Sequence, residues 1–248
     1  MQSDRVAGDV AMFQYFDKVI RGTEQEDALV IVQYLKEMVG KRFTFVNYYK
    51  EIPVSYDATL VHIENETAEF EVHDYQAKVI NMEKRALIHA PDGSPFPDDI
   101  VGEAFYINVA RKKVILCKFG YGKIRSGMRR FVRVMLDRPV EADLVINDDI
   151  LKANIKDISL GGAAMRVMSK DHLPPGLEIN LFIKLPDLSG RSVNEVGMGA
   201  TVIKVAGEHA PYTCVVEFHP EKHSQQQIAY YINQRQVEII KELKEINQ

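Results

Sequence analysis

Arg129-Arg130-Phe131-Val132-Arg133 and, about two dozen residues on, Asp157-Ile158-Ser159-Leu160-Gly161-Gly162 delimit the most informative stretch of the chain. Arg129 and Arg133 are four residues apart, so in an extended segment they point to one side and stand roughly 13 Å apart, about the length of a dinucleotide. A guanidinium there is a planar, permanently charged fork that suits phosphate oxygens, the O6/N7 edge of guanine and stacking on a base face. Asp157 and Ser159 are two apart and share a strand face. An ionised aspartate only accepts hydrogen bonds and suits the N1 and N2 donors of guanine, while the serine hydroxyl donates or accepts. The glycines that follow let the backbone turn with positive φ and come close to a ligand.

RxxxR followed at this separation by DxSxxG, with strands between and after, resembles the PilZ domain family. All five motif positions are filled, by Arg129, Arg133, Asp157, Ser159 and Gly162. The resemblance runs from Arg129 to the end of the chain. It implies a small β-barrel that binds cyclic di-GMP through those five residues, with Arg130, Met128, Gly161 and Arg166 as secondary contacts. Met128 places a thioether where another arginine would add a further guanine grip, which points to one cyclic di-GMP per protomer over a stacked pair. More loosely, the domain order is similar to that of two-domain flagellar-brake proteins, in which a split barrel precedes the PilZ domain. That likeness implies a ligand-driven change of interdomain arrangement, a role in motility or biofilm-related behaviour, and a protein partner such as the flagellar motor.

Bulk properties narrow the alternatives. A chain of 248 residues is long enough for two modest domains. A net charge of −4 and a pI near 6.0 argue against a general nucleic-acid binder, which needs a basic excess to displace counterions. Cys117 and Cys214 sit among apolar strand residues and read as reduced core thiols. The longest apolar run, Ala28 to Val32, is far too short to span a bilayer, and the expected location is cytoplasmic. The seven histidines are scattered in spacings that make neither a metal site nor a nucleophile set, and no Walker or GxGxxG loop occurs. The chain is therefore expected not to be an enzyme and to need no cofactor, although a split barrel holding a flavin stays open as an alternative.

The expected class is mainly β: two small antiparallel barrels, a split-barrel-like domain over 1–120 and a PilZ barrel over 129–248, joined by a linker at 121–128. Met12, Phe13, Phe16, Val19 and Ile20 predict a helix over about Gly8 to Ile20. Thr23 with Glu26 predicts a capped second helix to Gly40, apolar most of the way round and so packed between surfaces. From Lys41 the period falls to two, most clearly at Ala68, Phe70 and Val72. Tyr75 to Met82 reads as helix or loop. Seven strands follow Arg130, with parity slips near Lys156 and at Val202–Ile203 that predict bulges. The first slip would turn Asp157 and Ser159 outward at the barrel mouth. Ser224 with Gln227 predicts a capped terminal helix bearing Ile232, Ile239 and Ile246, packed on its own barrel; a two-chain contact giving a homodimer is the alternative. The competing function is a nucleotide-independent interaction adaptor that uses the terminal helices.

Overall fold

A computed structural model describes residues 15–125, 130–147, 149–187 and 192–246. Two compact units divide the chain: Met1–Val46 with Ser55–Met128, and Asn47–Val54 with Arg129–Gln248.

In the first unit, β1 (Phe16–Val19) leads to α1 (Glu24–Lys36), β2 (Arg42–Tyr49), β3 (Ile52–Glu64), β4 (Thr67–Glu71), α2 (Asp74–Glu83), β5 (Arg85–Ile88), β6 (Asp99–Asn108) and β7 (Lys113–Ile124). The sheet order is β1-β7-β4-β3-β2-β5-β6, and β6 also pairs with β7, so six antiparallel strands close into a barrel with β1 added on β7. The period-two pattern explains its interior, since Phe43, Phe45, Ala68 and Phe70 are fully buried while Thr44 and Glu71 beside them face out. Phe45 and Phe70 meet edge-on at 5.0 Å, a favoured aromatic geometry.

Several local expectations change here. Phe16–Val19 is a strand paired with β7, Tyr15 and Ile20 beside it are not helical, and residues 8–14 of the expected helix lie outside the described residues. Four residues whose apolar spacing fits a short helix turn fit an added edge strand equally well. The Thr23–Glu26 capping box forms as expected, with both reciprocal bonds present. However, α1 buries only Asp27, Ile31, Val32 and Leu35, and Leu29 and Val30 are exposed, so one face is packed instead of two. Tyr75–Met82 is helical: the His73 ring accepts the Tyr75 amide as an N-cap, and Lys84 closes the helix in the left-handed region. Of the linker expected at 121–128, Tyr121–Ile124 are the last residues of β7, paired with β1, while 126–128 lie outside the described residues. At Gly122 an added Cβ would come within 2.9 Å of Phe16, so that glycine serves close packing.

The second unit contains β8 (Arg133–Ile146), β9 (Asp149–Ser159), β10 (Gly162–Val167), β11 (Glu178–Pro186), β12 (Val193–Ala206), β13 (Tyr212–His219) and α3 (Lys222–Glu245). The six strands close in the order β10-β13-β12-β11-β8-β9. Both predicted bulges are present. Asp157 and Ile155 pair with the consecutive Ala164 and Met165, leaving Lys156 extra, and Ile203 is extra between Val202 and Lys204 on β12. Facing Lys156, β8 carries Leu136–Pro139 between its paired residues Met135 and Val140, where Pro139 has no amide to give to a ladder.

The α3 helix lays Ile228, Tyr231, Ile232 and Ile239 against the barrel core, as its own-barrel packing predicts. Its cap differs from expectation, because the helix begins at Lys222 without a side-chain cap and Ser224 instead donates its hydroxyl to the Gly197 carbonyl at 2.8 Å. Asn47–Val54, the turn between β2 and β3, belongs to this unit. Tyr49 and Ile52 pack on its core, and the Met135 amide donates to the Lys50 carbonyl. A charged cluster pins the same place. Arg235, almost fully buried on α3, bonds the Met135 carbonyl, Asp137, Glu238 and Glu242, while Lys50 bonds Asp137 and Glu242. Among the described residues no helix is long and apolar enough to cross a membrane.

Candidate functional site

The barrel register builds the site. Arg133 on β8 pairs with Ser159 on β9, Ser159 with Gly162 on β10, Gly162 with Glu217 on β13, and Glu217 with Thr201 on β12. Directly opposed residues on antiparallel strands share a face. Their neighbours Val134, Ile158, Ala163 and Val216 fill the core, so this row lies on the outside of the barrel. Arg133 and Glu217 are three strand steps apart around the closed barrel.

An open groove of about 390 Å³ runs along the row, lined by Arg130, Phe131, Arg133, Ser159, Gly161, Gly162, Ile203, Val215 and Glu217 among others. The Arg130 guanidinium lies 5.1 Å from the centroid of the Phe131 ring, a cation–π distance. Of the motif residues expected at the site, Arg133, Ser159 and Gly162 line the groove, and so do the secondary residues Arg130 and Gly161. Arg129 and Met128 lie outside the described residues. Arg166 stands four residues along β10 from Gly162, about 13 Å away, and does not line the groove.

Asp157 is where expectation and structure part. It does not face outward at a barrel mouth: the residue is 0% exposed and Ser159 only 8%. Its Oδ1 lies 3.6 Å from Nη1 of Arg133, whose side chain is 31% exposed. The acid thus sits beneath the groove and reaches it through the arginine, holding the guanidinium in place. The bulge at Lys156 does re-aim the chain, because it brings Asp157 and Ser159 onto the face opposite Ile158, but that face is covered at Asp157.

The glycines also act for a different reason from the one expected, since neither Gly161 nor Gly162 has φ in the left-handed region. At Gly162 an added Cβ would fall 2.2 Å from the Val216 carbonyl oxygen, so the close approach of β10 and β13 demands glycine. At Gly161 it would fall 2.9 Å from the Phe131 ring. The Ser159 hydroxyl donates to the Gly162 carbonyl at 3.1 Å and closes the β9–β10 turn. What the site offers chemically is two guanidiniums, a hydroxyl, one carboxylate at Glu217, bare backbone and an apolar strip, a set that suits a flat, hydrogen-bonding anion.

A model of the PilZ domain matches residues 128–234. The chain carries a PilZ domain. Among solved structures, the chain is similar to the inhibitor of motility from Bacillus subtilis, at 15% identity over 81% of this chain and 97% of that one, with a TM-score of 0.42. It is also similar to YcgR in complex with c-di-GMP from Escherichia coli, at 10% identity over 94% and 98%, TM-score 0.43. A third is the K. pneumonia MrkH–c-di-GMP complex, at 14% identity over 91% and 100%, TM-score 0.43. No curated protein matches.

In the PilZ domain, the groove-lining residues that sequence reading passed over are Phe131, Ile203, Val215 and Glu217. The parity slip at Val202–Ile203 marked one of them; Phe131 precedes β8, while Val215 and Glu217 lie in an ordinary alternating strand and join the groove only through register. Among the described residues, no group of three or more His, Cys, Asp or Glu is placed to hold a metal ion. The first unit has a groove of about 480 Å³. Its charges include the mutually neutralising pairs Lys18–Glu24 and Lys118–Glu103, so it offers no concentrated charge to an ionic ligand.

Proposed function

We propose that the chain is a cyclic di-GMP receptor that converts ligand binding into a changed arrangement of its two barrels. The observation that carries this reading is the outer-face row Arg133–Ser159–Gly162, with Arg130 and Gly161 in the same groove. Arg129 and Arg133 grip the phosphates and base faces. Ser159 and the bare backbone at Gly162 contact the ligand edge, and Asp157 orients Arg133 from below. Two charge-assisted arginine contacts at about 1.5–3 kcal/mol each suffice to bias a conformational equilibrium by orders of magnitude. The output is a protein contact that acts on motility or surface attachment, with the flagellar motor as the partner. One ligand binds per protomer, on the ground that Met128 lacks a third guanidinium.

Calorimetric titration of the full chain with cyclic di-GMP tests the reading. Saturable heat at a ratio near one, abolished in Arg133→Ala, is the expected result; flat heats on folded protein remove it. The second reading, a nucleotide-independent adaptor, draws on the exposed Tyr230, Val237 and Ile240 of α3 and on Leu29 and Val30 of α1. Flat heats would favour it.

A further inference from the structure

Resting on the cyclic di-GMP reading, we propose that Lys50 and Arg235 are positioning residues for the ligand. They fix the start of β8, which carries Arg133, from the edge that β9 does not cover. Arg133 stands two residues before Met135. Beyond Met135 the β8–β9 ladder is interrupted by Leu136–Pro139, and among the described residues β11 pairs with β8 only at Ala142–Val145. In a strand the amide and carbonyl of one residue point to the same side. Met135 turns both away from β9: its amide donates to the Lys50 carbonyl at 3.1 Å, and its carbonyl accepts from Nε of Arg235 at 3.2 Å.

The turn that supplies Lys50 keeps its side chains against the preference of its backbone. Lys50 and Glu51 join β2 to β3 with φ of 50° and 71°, a two-residue form ordinarily filled by Asn-Gly because a Cβ is disfavoured there. Among the described residues they are the one consecutive pair of non-glycine residues with positive φ. Such a conformation persists where its surroundings hold it, and it marks a functional candidate. Here the Lys50 ammonium bonds Asp137 at 2.6 Å and also Glu242, and Arg235 bonds the same two acids. Lys50 thus grips Met135 with its carbonyl and Asp137 with its ammonium, where the β8 ladder opens. None of Lys50, Met135, Asp137 and Arg235 lines the groove, so their effect on a ligand passes through Arg133. Met135 is paired across β9 with Asp157, the acid 3.6 Å from the Arg133 guanidinium. A shift at Met135 therefore disturbs both members of that pair, and a guanidinium grips an anion directionally, so affinity falls when its support moves.

The test is calorimetric titration of the full chain with cyclic di-GMP, beside Lys50→Asn and Lys50→Arg, together with amide hydrogen exchange at Met135. Asparagine accepts the left-handed conformation and removes the ammonium, so the turn should persist, whereas arginine restores a charge within reach of the same acids. Lys50→Asn should weaken cyclic di-GMP binding by about fivefold or more while the thermal midpoint stays close to that of the unaltered chain, and Lys50→Arg should recover most of the affinity. In the unaltered chain the ligand should slow exchange of the Met135 amide, because coupling between two places is reciprocal. Unchanged affinity in Lys50→Asn, or exchange at Met135 that ignores the ligand, overturns the assignment and leaves the receptor reading intact. A loss of affinity matched by an equal loss of stability in the unliganded variant also overturns it, since a merely structural role predicts that result. No heat from the unaltered chain removes the receptor reading and this assignment together.

Discussion

Nη1 of Arg133 lies 3.6 Å from Oδ1 of the fully buried Asp157, so the motif acid and the second motif arginine form one unit. A buried carboxylate is costly without a compensating charge, and removal of one member of such a pair penalises the survivor. Arg133→Ala is therefore expected to destabilise the barrel by about 1–3 kcal/mol as well as to abolish ligand heat. Arg130→Ala, at an exposed position, should weaken binding with little effect on stability. Urea unfolding and calorimetry on the same two variants check both halves.

Gly162→Ala and Gly161→Ala should separate backbone from side-chain consequences. The first drives a Cβ to 2.2 Å from a backbone oxygen of β13, which cannot swing away, so strands must part. A loss of roughly 1–3 kcal/mol is expected, as for an overpacked interior. The second meets only the Phe131 ring, which can rotate, and should leave stability nearly intact while displacing Phe131 and the Arg130 stacked on it. Thermal midpoints paired with ligand affinities distinguish the two.

Arg235 ties α3 to Asp137, Glu238, Glu242 and the Met135 carbonyl, and Lys50 joins the same acids. Arg235→Ala removes a buried guanidinium from carboxylates that are themselves part-exposed and should cost about 1–3 kcal/mol. Arg235→Met, which keeps the packing volume, should recover little of that loss as long as Asp137 remains. A double-mutant cycle with Asp137→Asn in chemical denaturation measures the coupling.

The same cluster sets an acid limit. Burial works to raise the Asp137 carboxyl, but hydrogen bonds from Lys50 and Arg235 outweigh it and hold the group below the ordinary carboxylate value. A lowered folded value means that its contribution is present above the unfolded value of 3.8 and is lost as pH falls through the folded one. Stability measured from pH 6 down to pH 2 should fall less steeply in Asp137→Asn.

An alkaline limit has the opposite sign. Burial pushes the Cys214 thiol up to about 11 and the Tyr231 phenol up to about 12. Both groups are neutral in the fold and would ionise earlier in the unfolded chain, near 9 and 10. Their neutral burial therefore favours the fold fully below pH 9, and that contribution declines as pH rises toward 11 and 12. Thermal midpoints recorded between pH 8 and 11 should drop, and Cys214→Ala should drop less over the same range.

Much of this was legible in advance because it is written in local pattern. Alternation at Ala68–Phe70–Val72 gave strands, Thr23 and Glu26 a helix start, and the slips at Lys156 and Ile203 gave bulges, each a property of a few consecutive residues. Expectations that depended on what lies on the far side of an element fared worse. Phe16–Val19 is a strand because β7 offers an edge, and one face of α1 stays open although its apolar residues wrap around it.

The amino-acid order alone determined the mainly β class, the two-barrel plan and the five motif residues that mark the PilZ domain, because periodicity and motif spacing are carried along the chain. Only the tertiary structure decided that Asp157 works from beneath Arg133, that Gly162 is required by an oxygen on β13, and that Glu217 stands in one row with Arg133 and Ser159. Those relations are set by strand register across a closed barrel, where residues as far apart in sequence as Gly162 and Glu217 are paired directly.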